Sequence, residues 1–117
     1  MRHKKQLKKL GLKKSHRDSL VKNLITSLVL HGRIKTTQSR AKVLASRFAR
    51  MMRVVHKKDK REAIRDMPQY CMTEAASKKI VDELKAKYEN RTSGFTRITR
   101  LGLRKGDSAS LVLIELI

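Results

Sequence analysis

The chain has 117 residues, 30 of them Lys or Arg and 10 Asp or Glu, for a formal net charge of +20. This length supports one domain with a single modest core, and the charge penalises compaction well beyond what solubility requires, so a polyanionic partner is the economical reading. The single cysteine, Cys71, excludes an intrachain disulfide and a cysteine-based metal cluster and fits a reducing compartment.

The opening stretch MRHKKQLKKLGLKKSHR carries eight basic residues and no acid: Arg2, Lys4, Lys5, Lys8, Lys9, Lys13, Lys14 and Arg17. Such a run repels itself and has too little apolar surface to fold alone. We therefore expect residues 1–14 to be a basic extended arm, disordered until phosphate holds it, with Gly11 supplying a bend. Residues 15–117 are expected to form the single folded domain. Leu7, Leu10 and Leu12 stand isolated among lysines, so a signal peptide is not expected. The longest apolar run, Leu111 to Ile114, is too short to span a membrane, and a soluble intracellular protein is expected.

From Asp18 to His31, apolar residues at Leu20, Val21, Leu24, Ile25, Leu28 and Val29 predict a helix with one buried stripe. Ser15 and Asp18 have the spacing of a capping box, and Gly32 occupies the stop position. Arg33 to Thr37 alternates and is β-branched, which predicts a short strand whose last Thr can cap the next helix. Between Gln38 and about His56, Ala41, Leu44, Ala45, Phe48, Met52 and Val55 recur at spacings of three and four, leaving Arg47, Arg50, Arg53 and Lys57 on the opposite side.

Asp59 and Glu62 can cap a short helix through about Met67, which Pro68 interrupts. Thr73 is placed to cap a further helix to Tyr88, with a stripe of Ala76, Ile80, Val81, Leu84 and Tyr88. Phe95 to Leu101 alternates with Thr, Arg104-Lys105-Gly106-Asp107 is turn chemistry, and Ala109 to Ile117 is dense in β-branched residues and Leu. This predicts a hairpin whose last strand is covered on both faces. With the strand near Ile34 it would complete a small mixed sheet, helices covering one side.

The charge is uneven along the chain. Residues 33 to 61 hold eleven basic residues and one acid, Asp59, whereas residues 62 to 90 hold five basic and six acidic. The polyanion should therefore meet the first half of the chain.

Catalytic chemistry has little support, because QYCMT around Cys71 offers neither a base nor an orienting group. A buried, inert thiol is the better reading. His3, His16, His31 and His56 lack the close pairing of a helical metal site. There is no phosphate-cradling glycine loop, so neither a cofactor nor a small-molecule substrate is expected. Nucleic-acid binding has a mechanism, since Lys and Arg neutralise phosphates and release counterions. With only two Phe and two Tyr, and Phe48 and Tyr88 on core stripes, single-strand stacking is poorly served. A structured backbone read by shape is favoured. His16 beside Arg17 can donate to phosphate, and Arg97 and Arg100 lie on one ribbon among threonines.

MRH at the start, His16-Arg17, NLITSL at Asn23 to Leu28, HGRIKTT at His31 to Thr37, RAK at Arg40 to Lys42, GFTRITRLGLRKGD and the closing IEL together resemble the family of bacterial large ribosomal subunit protein number seventeen. The resemblance runs nearly end to end. Thr92-Ser93 stands where that family usually has Pro-Gly or similar, and Phe95 where Tyr is common. It implies a two-layer α/β (α+β) fold in the order α-β-α-α-α-β-β, a place near the nascent-chain exit, and contacts with 23S rRNA and neighbouring large-subunit proteins. Its RNA-facing positions correspond to the basic arm with His3, and to His16, Arg17, Thr36, Thr37, Arg40, Lys42, Arg97, Arg100, Arg104 and Lys105. Charge adds Arg33, Arg47 and Arg50. No membrane contact and no homo-oligomer is expected, and the setting would be the cytoplasmic ribosome. A DNA-binding module using a basic helix around Arg40 to Lys57 is the competing reading, and a membrane-active cationic helix is a third.

Overall fold

Glycine in the left-handed region decides where the first helix stops. In the computed structural model, which describes His3 and residues 8–117, α1 spans Lys14–His31. Gly32 follows with φ 79°, its N–H donating to the Leu28 carbonyl at 2.8 Å. The start differs from the expected capping box. Arg17 N–H already donates to the Lys13 carbonyl at 2.9 Å and no side chain caps the helix, so Ser15 and Asp18 lie inside it, too late to act. The expected boundary of arm and domain thus falls within the first turn of α1. Before it, Leu10 and Gly11 take φ of 55° and 67°, and Leu12 N–H donates to the Lys9 carbonyl at 3.1 Å, forming the bend.

The strand β1, Arg33–Thr37, leads directly into α2, Gln38–Lys57. Thr37 occupies the cap position of α2 with extended backbone, but its side chain accepts no cap hydrogen bond. The helix α3, Lys60–Asp66, is capped by Asp59, which accepts the Glu62 N–H at 2.9 Å; a tight turn over Met67–Gln69 contains Pro68. Thr73 caps α4 by accepting the Ala76 N–H at 3.3 Å. That helix is α-helical over Glu74–Lys79, widens to a π turn over Ile80–Leu84 and closes with Lys85–Lys87.

Strands β2, Thr96–Leu103, and β3, Ser110–Leu116, form the hairpin. The sheet order is β1-β3-β2 and both pairings are antiparallel, so the sheet is not mixed as expected. The reason is that the returning strand β3 lies in the centre. There β1 meets it running the opposite way, pairing Ile34 with Ile114, and never borders β2. Ile114 also faces Ile98, and a bulge at Leu101 shifts the register between Arg100 and Gly102.

Burial falls on one side of the sheet. Val112 and Ile114 are fully buried, with Ile34 and Leu116 packed beside them, against Ile25, Leu28 and Val29 of α1 and Leu44, Phe48 and Met52 of α2. Leu111 and Leu113 alternate to the other face and are only half-buried, so β3 is not covered on both sides. Met51 joins the core although the spacing stripe omitted it. The Phe95 ring closes one end, edge-on to Phe48, His56 and Tyr88 at centroid distances of 6.3, 6.2 and 5.3 Å. Cys71 is buried, its Sγ 3.0 Å from Ser77 Oγ and donating to the Met67 carbonyl at 3.4 Å; burial pushes the thiol's pKa up.

Candidate nucleic-acid interface

Residues three and four apart on a helix share a face. On α1 this rule puts Lys14, Arg17, Asp18 and Val21 in one row. On α2 it does the same for Lys42, Val43, Ser46, Arg47 and Arg50. The two rows face each other across a cleft of about 530 Å³, and Lys8 from the preceding segment lines it too. Val21 belongs to the core and Val43 packs against it, so the apolar floor of the cleft is continuous with the interior. Above that floor stand six cations and one acid.

The cations are electrically unsatisfied. Among the described residues, no ion pair involves Lys8, Lys14, Arg17, Lys42, Arg47 or Arg50; the pairs that form lie elsewhere, Lys58 with Asp66, Lys60 with Asp82, Lys78 with Glu74, Arg97 with Glu115 and Arg104 with Asp107. Arg47 is half-buried and its guanidinium carbon lies 5.6 Å from the centroid of the Tyr70 ring, which holds the side chain in place without neutralising it.

The other expected contact residues are scattered. Arg2, Lys4 and Lys5 lie outside the described residues, while His3, Lys9, Lys13 and His16 are exposed. Arg33 and Arg40 are exposed near the two ends of β1, and Thr36 and Thr37 are half-buried on it. On the hairpin, Arg100 and Lys105 are exposed, and Arg97 lies 4.0 Å from Glu115 across the strands. Arg104 is committed locally, donating through Nε and an Nη to the two oxygens of Asp107 at 2.9 and 2.6 Å. This pair holds the Asp107 carboxyl at about 2, the guanidinium being the main cause and the Ala109 N–H the next.

Sequence reasoning named these six cations as candidate RNA contacts but did not foresee their meeting, and it assigned Asp18 to a cap instead of the cleft. The 14, 17, 18, 21 spacing was a usable signal for one wall. Nothing local announces Tyr70 as the support of Arg47.

All four Phe and Tyr rings are buried, at 0% to 8% exposure, which leaves none of them on the surface for bases to stack on. No helix is long and apolar enough to cross a membrane among the described residues. The fold is a small basic α+β domain with a cationic cleft between its first two long helices. A family model described as Ribosomal protein L17 matches residues 20–117. The chain is 40% identical over 117 residues to the large ribosomal subunit protein bL17 of Sulfurimonas denitrificans, covering 100% of both. Against that of Desulforudis audaxviator the identity is 38% over 110 residues, 94% of this chain and 97% of the relative. Against that of Thermoanaerobacter pseudethanolicus it is 40% over 110 residues, with the same two coverages of 94% and 97%. The chain belongs to the ribosomal protein L17 family.

Proposed function

We propose that this chain is a structural protein of the large ribosomal subunit that binds 23S rRNA by its phosphates, through the cleft between α1 and α2 and the basic arm before it. Family membership makes it a ribosomal protein and not an enzyme, and the ribosome is cytoplasmic in bacteria. The observation that carries the RNA reading is the convergence of six cations from three chain segments, none of them ion-paired among the described residues. Each cation that meets a phosphate releases condensed counterions, and that gain is independent of base sequence. The acids cluster along α3 and α4, and none of these lines the cleft, so the cationic lining there is offset by Asp18 alone.

The family resemblance supports a location near the nascent-chain exit, among neighbouring large-subunit proteins. The exposed Ile98, Leu101 and Leu103 of β2 give such neighbours an apolar strand to cover. The alternative of a free DNA-recognition helix fits less well, because Lys42, Arg47 and Arg50 face α1 across the cleft instead of projecting from an open helix.

The test is a filter-binding titration against 23S rRNA at several salt concentrations. Replacing Arg17, Arg47 and Arg50 together by Gln should weaken binding and flatten the dependence of log K on log salt by about 2 units, taking roughly 0.7 to 0.9 per lost phosphate contact by analogy with DNA. Replacing Lys78 and Lys79 of α4 should change little. Equal losses from the two sets would remove the proposed polarity.

A further inference from the structure

The cleft is larger than a phosphate needs, and it contains a group that a phosphate would avoid. Its volume of about 530 Å³ lies in the range that accommodates small organic ligands. The Asp18 side chain is half-buried in its wall and, despite six cations lining the same space, makes no ion pair or hydrogen bond among the described residues. A carboxylate accepts hydrogen bonds and donates none at neutral pH, so it repels a phosphate and attracts an N–H or O–H donor. The same lining includes two apolar side chains, Val21, which is almost fully buried, and Val43, which is half-buried.

We propose that the cleft receives one unstacked nucleotide of the bound RNA, not only backbone charge. The phosphate sits among Arg17, Arg47 and Arg50. The planar base lies over Val21 and Val43. Asp18 accepts a hydrogen bond from the nucleoside, either from a base N–H or from a ribose hydroxyl. Unpaired nucleotides with accessible edges are where proteins read RNA identity, and the 2′-hydroxyl is what separates RNA from DNA. Because every Phe and Tyr ring is buried, aliphatic contact with Val21 and Val43 does here what a phenyl or phenol ring does elsewhere. This inference rests on the rRNA-binding reading above but makes a separate prediction.

The sign of the effect at Asp18 decides it. If the cleft holds only phosphate, removing its one acid strengthens binding and steepens the salt dependence. If Asp18 holds a nucleoside donor, Asp18→Ala weakens binding of the full chain to 23S rRNA about tenfold and leaves the salt slope unchanged, since no phosphate contact is lost. A rise in affinity, or no change, overturns the inference while leaving the phosphate reading intact, which stands or falls with Arg17, Arg47 and Arg50. The Asp18 side chain makes no bond among the described residues, so the variant should keep its helical spectrum. Should it not, the wild-type chain decides. The Val21 and Val43 methyl resonances should then shift with ribonucleoside 5′-monophosphates and not with inorganic phosphate at equal ionic strength. Equal shifts with both overturn the proposal. Deoxyribonucleotide controls separate a ribose contact from a base contact, and comparison of the four bases shows which edge is read.

Discussion

Thr26 Oγ1 accepts the backbone N–H of Met72 at 2.9 Å and donates to the Lys22 carbonyl at 2.8 Å, linking the middle of α1 to the turn before α4 across 46 residues of chain. Apart from the Cys71 thiol and the two tyrosine hydroxyls, Thr26 carries the one polar side-chain group among the buried residues described. Thr26→Val keeps the shape and removes both bonds. It should destabilise the domain by about 1 to 2 kcal/mol, because the Met72 N–H loses its partner. Thr26→Ser, which keeps the hydroxyl, should cost less, and urea unfolding of the two variants checks the order.

The last strand offers a paired comparison. Ile114 is fully buried between Ile34 and Ile98, whereas its neighbour Leu113 faces the open side and is half-buried. Ile114→Ala should cost about 2 to 4 kcal/mol through lost burial and a cavity, and Leu113→Ala clearly less. Equal losses in urea unfolding would mean that the outer face of β3 is covered as well as the inner one.

Arg47 lies over Tyr70, so the ring should orient a phosphate ligand from outside the cleft. Tyr70→Leu keeps an apolar side chain but removes the π face. We expect weaker rRNA binding than wild type with an unchanged salt slope, because the charge remains and only its placement is loosened. A slope as shallow as that of Arg47→Gln would show instead that the arginine had left the site.

The Arg104–Asp107 pair makes the hairpin turn sensitive to acid in a defined direction. Asp107 titrates at about 2, below its ordinary 3.8, so its contribution is fully present above the ordinary value and disappears as pH falls through about 2. A carboxyl chemical-shift titration should give a midpoint near 2 for Asp107. Amide exchange at Ser108 and Ala109 should accelerate over the same window and lose that dependence in Asp107→Asn.

Because α1 begins at Lys14, residues 2–12 can be deleted without touching the helix. The truncated protein should keep a near-native helical spectrum and Tm. It loses Arg2, Lys4, Lys5, Lys8 and Lys9, so its rRNA salt slope should be shallower by up to about 4 units, again by analogy with DNA. Unfolding on truncation would mean that the arm packs on its own protein.

What the sequence by itself determined is whatever depends on neighbours within a few residues. The stops and caps at Gly32, Asp59 and Thr73, the strand Arg33–Thr37 and the apolar stripes of the helices all follow from local spacing and local hydrogen bonds. The excess of cations in the first half of the chain was equally plain. Tertiary structure decided the rest, because it brings together groups that no periodicity relates. Met51 is buried beside Met52 because α2 packs against α1, α3 and the sheet at once, widening its buried arc beyond one stripe. The sheet is antiparallel because β3 folds back into its centre, and Leu111 and Leu113 stay half-open because the helices cover only one side. The cleft exists only where the row of α1 meets that of α2. Each row alone only joins charged residues to one apolar residue; set opposite each other, they line a cleft with six cations that are unpaired among the described residues and one carboxylate.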